Sequence, residues 1–173
     1  MKLKRLILVA YLFLIPTLAF SGEDELLLKR GRHFAKAHQL EFAYMQFRDI
    51  VFNYPNSRFR EDAFFATGEY FSIVSDDPEA FQIFMQFVSE YPDSKRKIFA
   101  LGYLSKIAQK EKNETLAEKL KTDIVTLQRV ALIFKNSKEY KYLSPLNKQY
   151  RAIIQIDKIT ISCDGQILAE ISY

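Results

Sequence analysis

The sequence predicts an all-α fold of antiparallel helix pairs, about two and a half of them, with a β-hairpin at the C-terminal end. Two observations support this prediction. Tyr54-Pro55 and Tyr91-Pro92 lie 37 residues apart, and each pair is soon followed by Ser. After Pro145 an Ile-rich stretch replaces the helical spacing of apolar residues. A fixed period of this length is typical of folds that stack one small helical unit on the next.

The composition fits one globular domain preceded by an export signal. The chain has 173 residues, of which 49% are hydrophobic and 14% aromatic, enough to fill a core. Residues 22–137 are expected to form the helical domain. Only five Gly and five Pro occur, as expected of a helix-rich chain.

Residues 1–21 have the features of a secretory signal peptide. Three basic residues in positions 1–5 precede fifteen uncharged residues, 6–20, a stretch too short for a comfortable membrane span. Ala19 and Ser21 supply small residues before a cut, so we expect cleavage after Ser21, with a retained anchor as the alternative. No Cys follows the apolar stretch, so a lipid anchor is not expected. The mature chain is therefore expected to be periplasmic or secreted, with no integral membrane span.

Aligning the two Tyr-Pro phrases brings further residues into register. The matched positions are Gly31 with Gly68, Phe34 with Phe71, Ala43 with Ala80, Phe47 with Phe84, and Ser57 with Ser94. Gly and Ala allow two helices to approach closely, and the aromatic residues fill the seam between them. Pro ends the second helix, because the residue before it is disfavoured in helical geometry. Each Ser is expected to cap the helix that follows.

Six helices are expected from this pattern, over residues 23–37, 40–53, 58–74, 78–90, 95–111 and 113–135. Asp77-Pro78-Glu79 is a start signal, since it combines an N-cap acid, Pro at the first helical position and an acid in the first turn. Apolar residues recur along the last helix at spacings of three and four, at Leu116, Leu120, Ile124, Leu127, Ala131 and Phe134. This stripe must pack against another part of the molecule.

The pattern of Gly, Ala, aromatic and Pro positions resembles the tetratricopeptide repeat (TPR), whose helix–turn–helix unit usually has about 34 residues. The phrase around each Tyr-Pro is most similar to periplasmic TPR proteins of the bacterial envelope, such as those of the β-barrel assembly machinery and the Tol–Pal system. The resemblance covers residues 24–110, and a third unit is degenerate because Lys121 replaces the expected aromatic residue. It implies a short right-handed superhelix. It also implies a non-enzymatic adaptor or scaffold that binds a protein partner in the envelope, with a role in outer-membrane or envelope complex assembly.

The C-terminal residues are expected to form a hairpin, residues 151–173, after a linker over 138–150. Asp164-Gly165 between two apolar runs is a two-residue hairpin turn signal. Because an isolated hairpin is marginally stable in water, it must dock on the helices, pair with a partner's strand, or belong to a longer protein.

No catalytic or metal-binding motif occurs in the sequence, so we expect no enzymatic activity, no cofactor and no metal. The two histidines, His33 and His38, are not expected to converge, because His38 lies in the turn after the first helix. Cys163 is the lone cysteine, and it is either buried or free for an intermolecular disulfide. Export and a nearly neutral mature chain argue against nucleic-acid binding.

The TPR resemblance places a partner-binding groove along the first helix of each unit. Carried over by position, the groove is lined by Leu28, Arg32, Lys36, Asp62, Phe65, Glu69, Phe99, Lys106 and Lys110. Two central phenylalanines with cations around them suit an extended peptide that has an apolar anchor and acidic groups. The alternative is that Phe65 and Phe99 pack against the last helix or the C-terminal residues, so that the groove is filled from within.

Charge is unevenly distributed along the mature chain. Residues 22–94 hold 7 basic and 13 acidic side chains, whereas residues 95–151 hold 14 basic and 5 acidic ones. Such polarity favours head-to-tail contacts. An alternative function is therefore a self-associating structural subunit of an envelope complex, a homo-oligomer that uses its acidic front, basic rear and hairpin.

Overall fold

The computed structural model describes residues 22–129 and 137–172. Six helices come first, α1 Glu23–Lys36, α2 Leu40–Asn53, α3 Arg60–Ile73, α4 Asp77–Glu90, α5 Lys97–Lys110 and α6 Glu114–Arg129. Each of the six expected helices is present, and each helix packs against the next along the chain. The expected end of the last helix, residues 130–135, and the expected signal peptide, residues 1–21, lie outside the described residues.

The repeated glycines lie where two helices cross closely. Phe47 of α2 packs over Gly31 of α1, and Phe84 of α4 packs over Gly68 of α3. A Cβ atom added at Gly68 would lie 2.8 Å from the Phe84 ring, closer than two carbon atoms can approach without displacement. The predicted role of these glycines in close helix packing is therefore confirmed.

The repeated serines do not cap the following helices, contrary to the expectation from sequence. Helices α3 and α5 begin three residues after Ser57 and Ser94, and their N-cap residues make no side-chain cap. Each Ser Oγ instead accepts a 3.0 Å hydrogen bond from the backbone N–H two residues later. It also donates to an acid in the preceding helix pair, Ser57 to Asp24 and Ser94 to Glu61. The serines therefore fix the turn between one pair and the next.

Four strands follow the helices and form one antiparallel sheet in the order β1-β2-β3-β4. The strands are β1 Ser137–Leu143, β2 Gln149–Gln155, β3 Lys158–Cys163 and β4 Gln166–Ser172. The Asp164-Gly165 turn between β3 and β4 is confirmed, with φ values of 48° and 81°. The expected linker over 138–150 is wrong, because it forms β1 and the start of β2. The alternation of lysine and glutamate with Tyr140 and Tyr142 suits a strand that is buried on one side.

The sheet packs face-on against the helices. Its inner face contributes Tyr150, Ala152, Ile154, Ile159 and Ile161 to the main hydrophobic core. The closest approach is at Gly102 of α5, where an added Cβ atom would lie 2.9 Å from the Ile161 side chain. Of the apolar stripe on α6, Leu120 and Ile124 are buried in the same core. Ala131 and Phe134 of that stripe lie outside the described residues.

Candidate functional site

The two central phenylalanines of the expected groove are covered by the sheet. Phe65 of α3 and Phe99 of α5 are fully buried. Their ring centroids lie 5.4 Å and 5.1 Å from that of Tyr150, and Phe65 also contacts Tyr142 at 5.6 Å. Of the two alternatives left open by the sequence, the structure has the filled groove, and the sheet fills it. Phe65 and Phe99 are not accessible to a partner in this arrangement.

The β1–β2 loop extends this cover towards the first helix pair. Leu28 of α1, another expected groove residue, is buried. It belongs to the same hydrophobic cluster as Leu146 of the loop and Ala63 of α3. The C-terminal strands and their loop therefore take the place that an incoming peptide would occupy.

The cationic residues of the expected groove are not gathered into one site. Arg32 lies 3.7 Å from Asp62, and Lys110 pairs with Asp77 at the start of α4. Lys36 and Lys106 point to solvent on the first and fifth helices. This spread does not form the cluster of cations that a bound carboxylate would need.

Glu69, also an expected groove residue, begins a buried chain of polar groups that ties the sheet to the helices. The Tyr150 hydroxyl donates a 2.6 Å hydrogen bond to Glu69 Oε1. The Tyr103 and Tyr150 hydroxyls lie 2.7 Å apart, and Tyr103 donates to Cys163 Sγ at 3.7 Å. Glu69 Oε2 has no hydrogen-bond partner within the described residues. This series of hydrogen-bonded groups thus links α3, β2, α5 and β3.

Burial determines the protonation state of these groups. Complete burial raises the pKa of Glu69 to about 8, although the Tyr150 hydrogen bond acts in the opposite direction. The Glu69 carboxyl is therefore mostly neutral at pH 7. Burial also raises the pKa of the Cys163 thiol, so this residue is not an activated thiolate nucleophile. This buried series of polar groups holds the sheet and the helices together.

Arg96 joins the acidic and basic halves of the chain within one molecule. Its guanidinium pairs with Glu61 at 2.5 Å and with Asp62, both from α3. It also lies 4.8 Å from the centroid of the Tyr142 ring. Acidic residues of the 22–94 range therefore pair with a basic residue of the 95–151 range within one molecule. This intramolecular pairing weakens the case for head-to-tail contacts between molecules.

The outer face of the sheet forms an open cleft of about 680 Å³. Its apolar lining includes Leu143 of β1, Ile153 of β2 and Ile167 of β4, and the first and last of these are more than half exposed. Glu139 pairs with Arg151 and, at 3.3 Å, with Lys141, which places fixed charges along one side. An expected linker over residues 138–150 leaves no place for this surface, which is why the sequence did not predict it. The alternation in β1 was the signal that could have revealed it.

No model of a known protein family matches the chain, and no curated protein matches it. Within residues 22–129 and 137–172, no helix is long and apolar enough to cross a membrane. The same residues contain no group of three His, Cys, Asp or Glu side chains that could hold a metal ion.

Proposed function

We propose that this protein is a non-enzymatic adaptor or scaffold of the bacterial cell envelope, built on TPR-like helix pairs. Its binding surface is the outer face of the C-terminal sheet. The supporting observation is that the sheet buries Phe65 and Phe99 while it exposes Leu143 and Ile167 in a cleft of its own. In this proposal the helices support the sheet, and the outer face of the sheet binds the partner.

The chemistry of the cleft suits a segment of another protein. Leu143, Ile153 and Ile167 supply an apolar centre, and charged groups flank it, including Asp164, which pairs with Lys148 at 2.9 Å. An apolar centre with a polar rim is the usual anatomy of a protein–protein interface. The partner segment is expected to present aliphatic or aromatic side chains to this centre.

The envelope location rests on the N-terminal sequence. Residues 1–21 combine a basic start, an uncharged stretch and small residues before a cut, which favours export. The similarity of residues 24–110 to periplasmic TPR proteins supports the same location. A role in assembling envelope complexes follows from that similarity.

The test is capture of partners by the full chain, expressed with its N-terminal segment and purified from the envelope. The cleft variant is Leu143→Ser with Ile167→Ser. Ile156→Ser is the matched control, because Ile156 is 65% exposed but lies outside the cleft lining. We expect a partner that binds the wild type and the control but not the cleft variant, with circular dichroism showing all three folded. Equal binding to all three would contradict the proposal.

A further inference from the structure

The outer face of α2 carries three large apolar side chains that point to solvent. Phe52 is 73% exposed, Phe42 55% and Met45 44%. Spacings of three and seven residues place them on one side of the helix. A stripe of exposed apolar side chains along a whole helix indicates a contact surface.

The repeat provides an internal comparison. One period later, on α4, the corresponding residues are Glu79, Gln82 and Ser89. All three are polar, although both helices pack through equivalent buried residues such as Phe47 and Phe84. The fold therefore does not require apolar residues on this outer face, and those on α2 need another explanation.

Glu41 and Arg48 carry opposite charges on the same face, next to the half-buried Asp49. Glu41 and Arg48 are both exposed, and Met45 lies between them on the helix surface. If a second α2 lies antiparallel with the two Met45 side chains at the symmetry axis, Glu41 of each copy approaches Arg48 of the other. A two-fold interface repeats every contact, so this arrangement gives two ion pairs.

We propose that the outer face of α2 is an interface between two copies of this chain, packed antiparallel about Met45. A 14-residue helix is about 21 Å long, so the contact is smaller than the roughly 800 Å² per partner of a standard interface. A weak, reversible dimer is therefore expected. This interface lies on α2, so it neither depends on nor blocks the cleft on the sheet.

Sedimentation of the purified full chain over a range of concentrations tests the proposal. The wild type is compared with variants in which the charges at positions 41 and 48 are reversed singly and together. Glu41→Arg or Arg48→Glu alone places like charges opposite each other and should weaken association about tenfold. The two together restore opposite charges and should return the affinity to within about threefold of wild type. Glu118→Arg on the exposed side of α6 is the control for a charge reversal away from α2 and should change nothing. A wild type that stays monomeric, or a double variant no better than the singles, would overturn the proposal.

Disulfide trapping provides a second readout, which detects the covalently linked dimer and needs no measurement of a dissociation constant. Met45→Cys places a thiol at the symmetry axis, so mild oxidation should link two copies. Gln82→Cys, one period later, should not link them above the level of the wild type, whose own Cys163 is buried. Equal cross-linking at the two positions would overturn the antiparallel arrangement about Met45.

Discussion

The Tyr150 hydroxyl donates a 2.6 Å hydrogen bond to Glu69, across the buried interface between sheet and helices. Both residues are almost completely inaccessible to solvent. Because the Glu69 carboxyl is neutral at pH 7, a neutral hydrogen bond joins the two layers and no buried charge is left unpaired. The docking of the sheet is thereby linked to the protonation of one residue.

The first prediction is a fall in stability as pH rises. Burial raises the pKa of folded Glu69 to about 8 from its ordinary value of 4.5, so between these values the folded state binds more protons than the unfolded state. The contribution of Glu69 to the free energy of unfolding is therefore greatest below pH 4.5, decreases up to pH 8 and is constant above it. The full loss is up to about 5 kcal/mol. Urea unfolding at pH 5, 7 and 9 measures it.

Glu69→Gln is the control for this prediction. The amide oxygen can still accept the Tyr150 hydrogen bond, but the side chain cannot ionise. The pH dependence between 5 and 9 should be much flatter in this variant than in the wild type. Parallel pH profiles for the two proteins would show that folded Glu69 is already ionised at pH 5, as it is in the unfolded chain, and that its pKa is not raised.

The second prediction concerns the Tyr150 hydroxyl separately from its ring. Tyr150→Phe keeps the packing against Phe65 and Phe99 but removes the hydrogen bonds to Glu69 and Tyr103. Leaving these buried groups unpaired should lower the free energy of unfolding by about 1–3 kcal/mol. Combining it with Glu69→Met, which removes the acceptor at position 69, in a double-mutant cycle measures the coupling between the two residues. Strictly additive effects would contradict a direct interaction.

The helices were predictable because their signals are local. Asp77-Pro78-Glu79 correctly signals the start of α4, but the N-cap is Asp76 and not the expected Asp77. The Asp76 side chain accepts a hydrogen bond from the Glu79 N–H. The Asp164-Gly165 turn is local in the same sense, since two adjacent residues determine it. Such elements need no knowledge of what packs against them.

The sheet and the covered groove were less predictable because they depend on distant contacts. Strand β1 alternates Tyr with charged residues, and it becomes a strand by pairing with β2, where Tyr142 lies opposite Tyr150. Helix position alone correctly places Glu69 and Phe65 on one face of α3. It cannot show that a sheet 81 residues further along the chain covers that face.

The third prediction tests the close crossing of α3 and α4. Gly68→Ala adds a Cβ atom 2.8 Å from the Phe84 ring, so either the ring or the helix must move. Overpacking of this kind typically costs about 1–3 kcal/mol, more than the small gain in helix propensity from Ala. Thermal unfolding of the variant should show a lower midpoint.

A smaller partner should relieve the overpacking caused by Ala at position 68. Phe84→Leu alone is destabilising because Phe84 is fully buried. Together with Gly68→Ala, however, the combined loss in unfolding free energy should be smaller than the sum of the two single losses. A combined loss equal to or greater than the sum of the two single losses would mean that the Cβ atom at position 68 is accommodated by a movement other than that of the Phe84 ring.

The last prediction concerns the reactivity of Cys163. Its thiol is buried beneath the sheet, accepts a hydrogen bond from Tyr103, and has a pKa raised by burial. Since the thiolate is the reactive form, a thiol reagent should label the native protein at least about 100-fold more slowly than the urea-unfolded chain. If the native protein is labelled as fast as the urea-unfolded chain, Cys163 is exposed and can form an intermolecular disulfide. Slow labelling would instead mean that reaction requires the sheet to open. In that case the rate should increase in Ile154→Ala, which removes buried packing between the sheet and the helices at the end of β2 away from Cys163.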